Sequence, residues 1–411
     1  MSIPQHHEIV VIGAGIAGAT IANELLGRGQ SVCIVDAANS PASACSSHAY
    51  AIAHPHIGRG SPRLLRLTRI AFLMAEARWG KQWNQHGIFQ PTKKDRAFDR
   101  EELHRHLQTL DLDNNMAKPL DASEAQTLLG VEQSGVWLPR GASLSLAKAA
   151  NDLLQKHERL TCCWNAHISR LESCDGRWLL FDNAGQPIIS AHKVIVATAM
   201  EAKTLMASID IRLPLKPVRG QLSIFSIAND DPWAIRLPRV GISGEGYCLP
   251  AKKLADGSYR WIVGSSFDEG EDDLQARDSS DAFNREQAQG LLDYAQGNIS
   301  TLKVADCFVG IRCVAGDRLP IIGALTQRPG IFLATALGSR GVLWSALAAK
   351  LITAQVLEDD FALLTRLGFA ADLVAALAPA RFFAGALAAP SALGALASNS
   401  KPIFPSGPKA K

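Results

Sequence analysis

One stretch, Glu8 to Asp36, limits what this chain can fold into more than any other. Glu8-Ile-Val-Val-Ile12 is a short run of branched apolar residues, the pattern of a strand buried on both faces. It runs directly into Gly13-Ala-Gly15-Ile-Ala-Gly18, and a helical pattern follows to about Arg28. A second strand, Ser31-Val-Cys-Ile-Val-Asp36, ends on an acid. The first glycine permits the tight turn, the second lets backbone N–H groups approach a pyrophosphate, and the third lets the helix pack on the strand. The acid is placed to hold a ribose hydroxyl. Isolated GxGxxG loops recur in unrelated folds, but strand, loop, helix, strand and acid in this order specify a dinucleotide-binding βαβ unit. Its expected contacts are Gly13, Ala14, Gly15, Ile16, Ala17 and Gly18, with Asp36 and Ala37 at the second strand's tip.

The 411 residues suffice for two intimately packed domains, or for one large α/β body with an inserted sheet. Lys+Arg (42) barely exceed Asp+Glu (39), so the charge tolerates a nucleic-acid partner without demanding one. The eight cysteines form no CxxC pair and no Cys/His metal spacing, which predicts no metal site. With no signal peptide in view, a reduced cytoplasm is the expected location. The weakly charged segment Phe382–Ser398 is interrupted by Pro390 and too short to span a bilayer, so no membrane association is expected.

Further along, Ser40-Pro-Ala-Ser-Ala-Cys-Ser-Ser47 is small and polar, and Ser46 and Ser47 can close on a phosphate or a flavin ring. Helical spacing runs from Pro62 to Trp83, with Arg63, Arg66 and Arg69 on one side as a solvated face rather than a phosphate site. Asp121-Ala-Ser-Glu124 reads as a helix start, and Ser143 to His157 as a helix. Leu160 to Phe181 alternates as strands about a turn at Asp175-Gly176. His192 to Thr198 is a buried strand whose Ala197 and Thr198 end near the cofactor. The texture is β-rich from Leu213 to Gly264, then an acidic loop (Asp268–Asp281) and a helix (Asn284–Gln296) follow. Strand patterns return at Val309–Arg312 and Ile331–Ala336. From about Ala378 the chain is Ala/Pro/Ser-rich and is expected to be partly disordered.

Four features carry chemistry. Gly338-Ser339-Arg340-Gly341, continuing to Val342, follows a strand and opens a long helix, so its N–H groups and helix dipole favour negative charge beside a cofactor. Arg312 sits at a strand end, where low dielectric makes it a clamp for a substrate carboxylate; a salt bridge, for example to Asp317, is the alternative. Tyr247 offers a hydroxyl to orient that carboxylate, and Arg219 faces either the ligand or the sheet. His48, His54 and His56 could form a proton relay, although exposed loop histidines are usually idle; His54 is kept among the substrate contacts.

In this order, these motifs resemble the D-amino-acid-oxidase/glycine-oxidase superfamily of FAD amine oxidases. The carriers are GAGIAG, Ala197-Thr198, Pro217-Val-Arg-Gly-Gln221, Gly246-Tyr-Cys-Leu-Pro250, Gly310-Ile-Arg-Cys313 with Asp317–Gly323, and Gly338-Ser-Arg-Gly341. Gly310–Pro320, Ala336–Gly341, Gly264-Ser-Ser-Phe267 and Ala378-Pro-Ala-Arg381 are similar to the FAD-dependent half of the bifunctional tRNA 5-methylaminomethyl-2-thiouridine biosynthesis proteins. The family's Ser-Gly-Asn-type loop is replaced here by Ala44-Cys-Ser-Ser-His-Ala-Tyr-Ala51, and no methyltransferase half is seen, so a stand-alone oxidoreductase is expected.

The resemblance implies an α/β fold: a Rossmann-like FAD-binding domain (1–82, 140–212 and 305–375) with an interleaved β-rich substrate domain (83–139 and 213–304) and a tail from 376. It implies non-covalent FAD, since Cys313 is wrongly spaced from Asp317 for the covalent link of some sarcosine oxidases. It further implies oxidation of 5-carboxymethylaminomethyl-(2-thio)uridine in a tRNA anticodon loop to the aminomethyl nucleoside and glyoxylate. Arg312 and Tyr247 would be catalytic, binding substrate together with Arg219 and His54. A basic pocket mouth and a separate methyltransferase partner go with that reading. The alternatives are an oxidase of glycine, sarcosine or a D-amino acid, and a non-catalytic flavin-containing RNA-binding or assembly subunit.

Overall fold

The computed structural model describes residues 4–383 apart from Tyr50, Arg59, 94–95, 293–294, 296–298, 359–364 and 366–368. The strand Gln5–Ile12 lies inside an eight-stranded sheet, parallel to Val32–Val35 on one side and to Pro187–Val196 on the other. Ile331–Thr335 and Leu160–Cys163 extend the parallel set outward. Both faces of this set are covered, which is why its strands read as unbroken apolar runs. Ile9 and Val11 point into one core with Ile34 and Ile195, while Val10 and Ile12 point into another with Val194 and Val196.

The first core is roofed by the helices Ile16–Gly27 and Gly341–Val356, which pack on each other and are buried along most of their length. Gly18 allows the close approach: a Cβ there would lie 1.8 Å from the Gly13 carbonyl oxygen. Glu24, 8% exposed, ties the layer together. Its carboxylate accepts from Arg78 (2.9 Å) on the helix Pro62–Trp79 and from Lys350 (2.6 Å) on Gly341–Val356.

The second body is a ten-stranded sheet built around Leu215–Ile227, which pairs antiparallel with Tyr259–Gly264 and with Lys303–Ala315. Its core is closed by Phe225 and Trp261, both fully buried, under the helix Asp278–Leu291. The two bodies meet where the Leu215/Ala315 end of this strand pair packs into the core of the first sheet, and a small three-stranded sheet (Ala51–Ala53, Asn84–Gln85, Ala142–Leu144) packs on the helix-covered core.

Several local expectations shift. The expected boundary at 305 falls inside Lys303–Ala315, a strand paired with Leu215–Ile227 in the second sheet, while its last residues Cys313 and Ala315 pack in the core of the first. The helix expected from Ser143 starts at Leu146, because Ala142–Leu144 is taken into the small sheet and Ser145 caps. The helix expected from Asn284 begins at Asp278, with Asp278 and Asp281 in its first turn, where acids complement the dipole. Asp121 and Glu124 form a reciprocal capping box. On the Arg63–Arg69 stripe, Arg66 pairs with Asp372 and Arg69 with Asp111. The tail beyond Phe383 lies outside the described residues.

Candidate active site

A single cavity of about 880 Å³ runs from the first glycine loop to the second sheet. At the nucleotide end it is lined by Gly13, Gly15, Ile16, Ala17, Asp36, Ala37, Ser46 and Ser47, and then by Ala197 and Thr198. Gly13 takes φ +98°, and a Cβ on it would lie 2.7 Å from the Ala197 carbonyl oxygen. The two strand tips therefore meet only because no side chain stands between them. Asp36 accepts from the Ala14 N–H (2.6 Å) and the Ala38 N–H (2.8 Å), which fixes its carboxylate against the loop with lone pairs left over. Ser46 Oγ accepts from the Ile16 N–H (3.0 Å), leaving its own O–H to donate at the helix N-terminus. Thr198 Oγ1 is buried without a hydrogen-bond partner. A polar atom left unpaired in a cavity wall marks a place where a ligand atom is wanted.

Farther in, Gly338, Ser339, Gly341 and Val342 line the cavity, and Gly338 makes the turn at φ +53°. Ala14, Gly18 and Arg340 do not line it. Ala14 gives its N–H to Asp36 and is itself buried, Gly18 is a packing contact, and the Arg340 guanidinium is desolvated beside His54.

At the other end, Tyr247 and Arg312 both line the cavity, from strands of the second sheet that do not pair with each other. Arg312 Nη2 donates to Ser265 Oγ (2.5 Å), while Nη1 donates to the carbonyls of Arg219 and Ser266 (3.2 Å each). Burial pulls its pKa down, and among the described residues no carboxylate reaches ion-pair distance. The salt bridge to Asp317 considered from the sequence does not form; Asp317 pairs with Arg381 (2.7 Å). A buried arginine held by neutral acceptors is short of one anion.

Two expected substrate contacts are corrected. Arg219 is completely buried with all five N–H donors used, on Asp268, Ser280, Gln221 and the carbonyls of Asp273 and Gln275, so it anchors a loop and does not face ligand. His54 lies outside the cavity lining, its ring shared between the Pro55 carbonyl (2.9 Å) and Ser243 (3.2 Å).

The loop histidine that does line the cavity is His48, read from the sequence as idle. Its Nε2 lies 3.5 Å from the Tyr247 hydroxyl and its ring packs edge-on against Phe308. Burial, and then the Arg312 charge, push its pKa down to about 4, so the ring is neutral at pH 7. Cys45 stands nearby, its thiol pushed up by burial. Cys45 lies in the loop Ser40–Ser47 and His48 directly follows it, and Phe308, Gly310 and Arg312 share one face of a strand at period two; those were the available signals.

The expected basic mouth is not what the lining loop provides. Asp268, Glu269, Glu271 and Asp273 are acidic but pair with Arg219, Arg318 and Arg277, and Asp272 itself lines the cavity. No helix among the described residues is long and apolar enough to cross a membrane.

Residues 8–355 match the family model of FAD dependent oxidoreductases (DAO). The chain is 32% identical to the tRNA 5-methylaminomethyl-2-thiouridine biosynthesis bifunctional protein MnmC of Ralstonia nicotianae, over 93% of this chain and 61% of that protein. It thus spans about three fifths of the length of that curated relative. Among solved structures it superposes on glycine oxidase from Geobacillus kaustophilus (TM-score 0.71, 20% identity, 87% of this chain and 96% of that one). It also superposes on iminodiacetate oxidase from Chelativorans sp. BNC1 (TM-score 0.66, 22% identity, 86% and 96%). These two likenesses establish the fold. A glycine cradle, an oriented acid, an unpaired buried hydroxyl and a second helix start along one cavity fit a flavin dinucleotide, and the family match agrees: the chain belongs to the FAD dependent oxidoreductase family, and its cofactor is FAD.

Proposed function

We propose that the chain oxidises the carboxymethylaminomethyl arm of a 5-carboxymethylaminomethyl-(2-thio)uridine at the wobble position of tRNA. The C–H and N–H hydrogens are removed as hydride and proton to leave an imine. Water then cleaves the imine, releasing glyoxylate and leaving the aminomethyl nucleoside. The supporting observation is Arg312, a buried cation that no carboxylate among the described residues reaches at ion-pair distance, at the inner end of the cavity that begins at the nucleotide loop. The MnmC relative's name supplies the tRNA and the aminomethyl-2-thiouridine, and an arginine that calls for a carboxylate supports the carboxymethyl group on the amine.

Bound FAD would supply the hydride acceptor. Gly13–Ala17, Asp36, Ser46 and Thr198 would hold its nucleotide half, and the Gly338–Val342 helix start would place partial positive charge beside its ring. Arg312 binds the carboxylate, and its contacts with Ser265 and Ser266 fix the direction of approach. Tyr247 donates to the same carboxylate; burial holds its hydroxyl protonated. His48, neutral, holds the Tyr247 hydroxyl in place through its Nε2 (3.5 Å).

The second reading is an oxidase of a free amine such as glycine or sarcosine. It is favoured by Asp272 on the cavity wall, which RNA phosphates would avoid. Lys252, Lys253 and Arg260, exposed and adjacent on the same sheet, offer phosphates an alternative footing. A methyltransferase partner and a cytoplasmic location follow only if tRNA is the substrate. Incubating the holoenzyme with tRNA carrying the modified base, then analysing its nucleosides by mass, tests the proposal. A loss of 58 mass units, about one carboxymethyl group exchanged for hydrogen, is the expected result. Unchanged nucleosides would refute it.

A further inference from the structure

We infer that Phe267 is the platform on which the substrate's base stacks, so that this ring selects an amine carried on a nucleobase over a free amino acid. The inference rests on the tRNA reading above and assigns its specificity to one side chain.

Phe267 is 47% exposed, one of few large apolar side chains left so open. It stands on a loop otherwise rich in acids, so no apolar core accounts for it. Its position is tied to the carboxylate anchor. Ser265 and Ser266, the two preceding residues, hold the Arg312 guanidinium, and the Arg312 Cζ lies 5.4 Å from the Phe267 ring centroid. The loop beneath is tied down by hydrogen bonds and ion pairs. Arg219 bonds to Asp268, Asp273 and Gln275 in it, and Arg277 pairs with Glu271 and Asp273. Leu274 on the same loop, 62% exposed, lines the cavity, while Phe267 stands outside that lining.

A carboxylate on Arg312 fixes one end of the substrate arm. The arm is short, CH₂–NH–CH₂, so the base at its other end must come to rest close to the anchor. An aromatic ring beside the anchor offers that base a stacking face, the usual way proteins hold an unstacked base. Glycine and sarcosine have nothing beyond the amine to reach it.

The competing explanation is that Phe267 merely shields Arg312 from water. Kinetics on FAD-loaded Phe267→Ala and Phe267→Tyr enzymes separate the two. With the modified tRNA, Phe267→Ala is expected to raise KM by about ten- to a hundredfold, the scale of one lost base stack, while Phe267→Tyr keeps it near wild type. Sarcosine binding, read from the flavin spectrum, is expected to change less than about twofold. An unchanged KM for tRNA overturns the inference, as does equal weakening of tRNA and sarcosine, which would mark Phe267 as a shield. A wild-type enzyme that leaves tRNA unoxidised would instead overturn the parent reading, and the inference with it.

Discussion

The Arg312 guanidinium lies directly over Gly220: a Cβ at that glycine would sit 2.2 Å from both of its terminal nitrogens. Gly220 pairs with Gly310 on the neighbouring strand, so Arg312 crosses back over the gap its own strand leaves. The atoms that would clash are the far end of a flexible side chain, which can swing away, and not backbone. Gly220→Ala is therefore expected to cost little stability, below about 1 kcal/mol by urea unfolding, while displacing the anchor. The amine KM should rise at least about tenfold with FAD content unchanged, which an activity assay and a flavin absorbance ratio measure together.

Asp36 is expected to govern cofactor affinity without touching turnover. Asp36→Ala removes the acceptor for the Ala14 and Ala38 N–H groups and for the ribose. A loss of about 1.5–3 kcal/mol, roughly ten- to a hundredfold in the FAD dissociation constant, is expected in fluorescence titration of the apoprotein. At saturating FAD, kcat should match wild type.

Glu24 carries the opposite separation. Glu24→Ala strands Arg78, whose side chain is 18% exposed, and Lys350 without their carboxylate between three helices. Unfolding free energy is expected to fall by about 3 kcal/mol or more, with the flavin spectrum and KM unaltered in the native state.

Two histidines set an acid limit. Burial leads in depressing both His48 and His54, from an ordinary 6.5 to about 4. The unfolded chain takes up these protons below 6.5 and the folded chain does not until about 4. Their contribution is therefore complete above pH 6.5 and is lost as pH falls toward 4, at most about 3 kcal/mol each. Denaturation of the apoprotein across this range should show the slope, and His54→Gln should flatten it.

The nucleotide half of this site was legible because its constraints are local. Strand, Gly13–Gly18 loop, helix and Asp36 are contiguous, and each residue's task follows from backbone geometry. The second glycine turn was legible from its place between strand and helix, whereas Arg312, expected at a strand end, sits inside a strand that runs on to Ala315. Arg312 was singled out as the carboxylate clamp, but whether Arg219 faces ligand or sheet was open in sequence, and their strands pair directly with each other. Only the fold shows that one has five partners and the other lacks an anion. The histidine loop failed for a similar reason. His48 and His54 lie on one short segment, and the second sheet decides which ring meets Tyr247 and which meets Ser243. The boundary near 305 has no local signal, because Lys303–Ala315 is one strand serving both bodies: it pairs in the second sheet and its Cys313 and Ala315 pack in the core of the first.

The most direct test is to mix the FAD-loaded enzyme, without oxygen, with tRNA bearing the carboxymethylaminomethyl group and follow flavin absorbance and glyoxylate. Rapid bleaching with stoichiometric glyoxylate is predicted for wild type. Arg312→Ala should stay yellow with its FAD retained. Bleaching by glycine or sarcosine as fast, with none by the tRNA, would contradict the account.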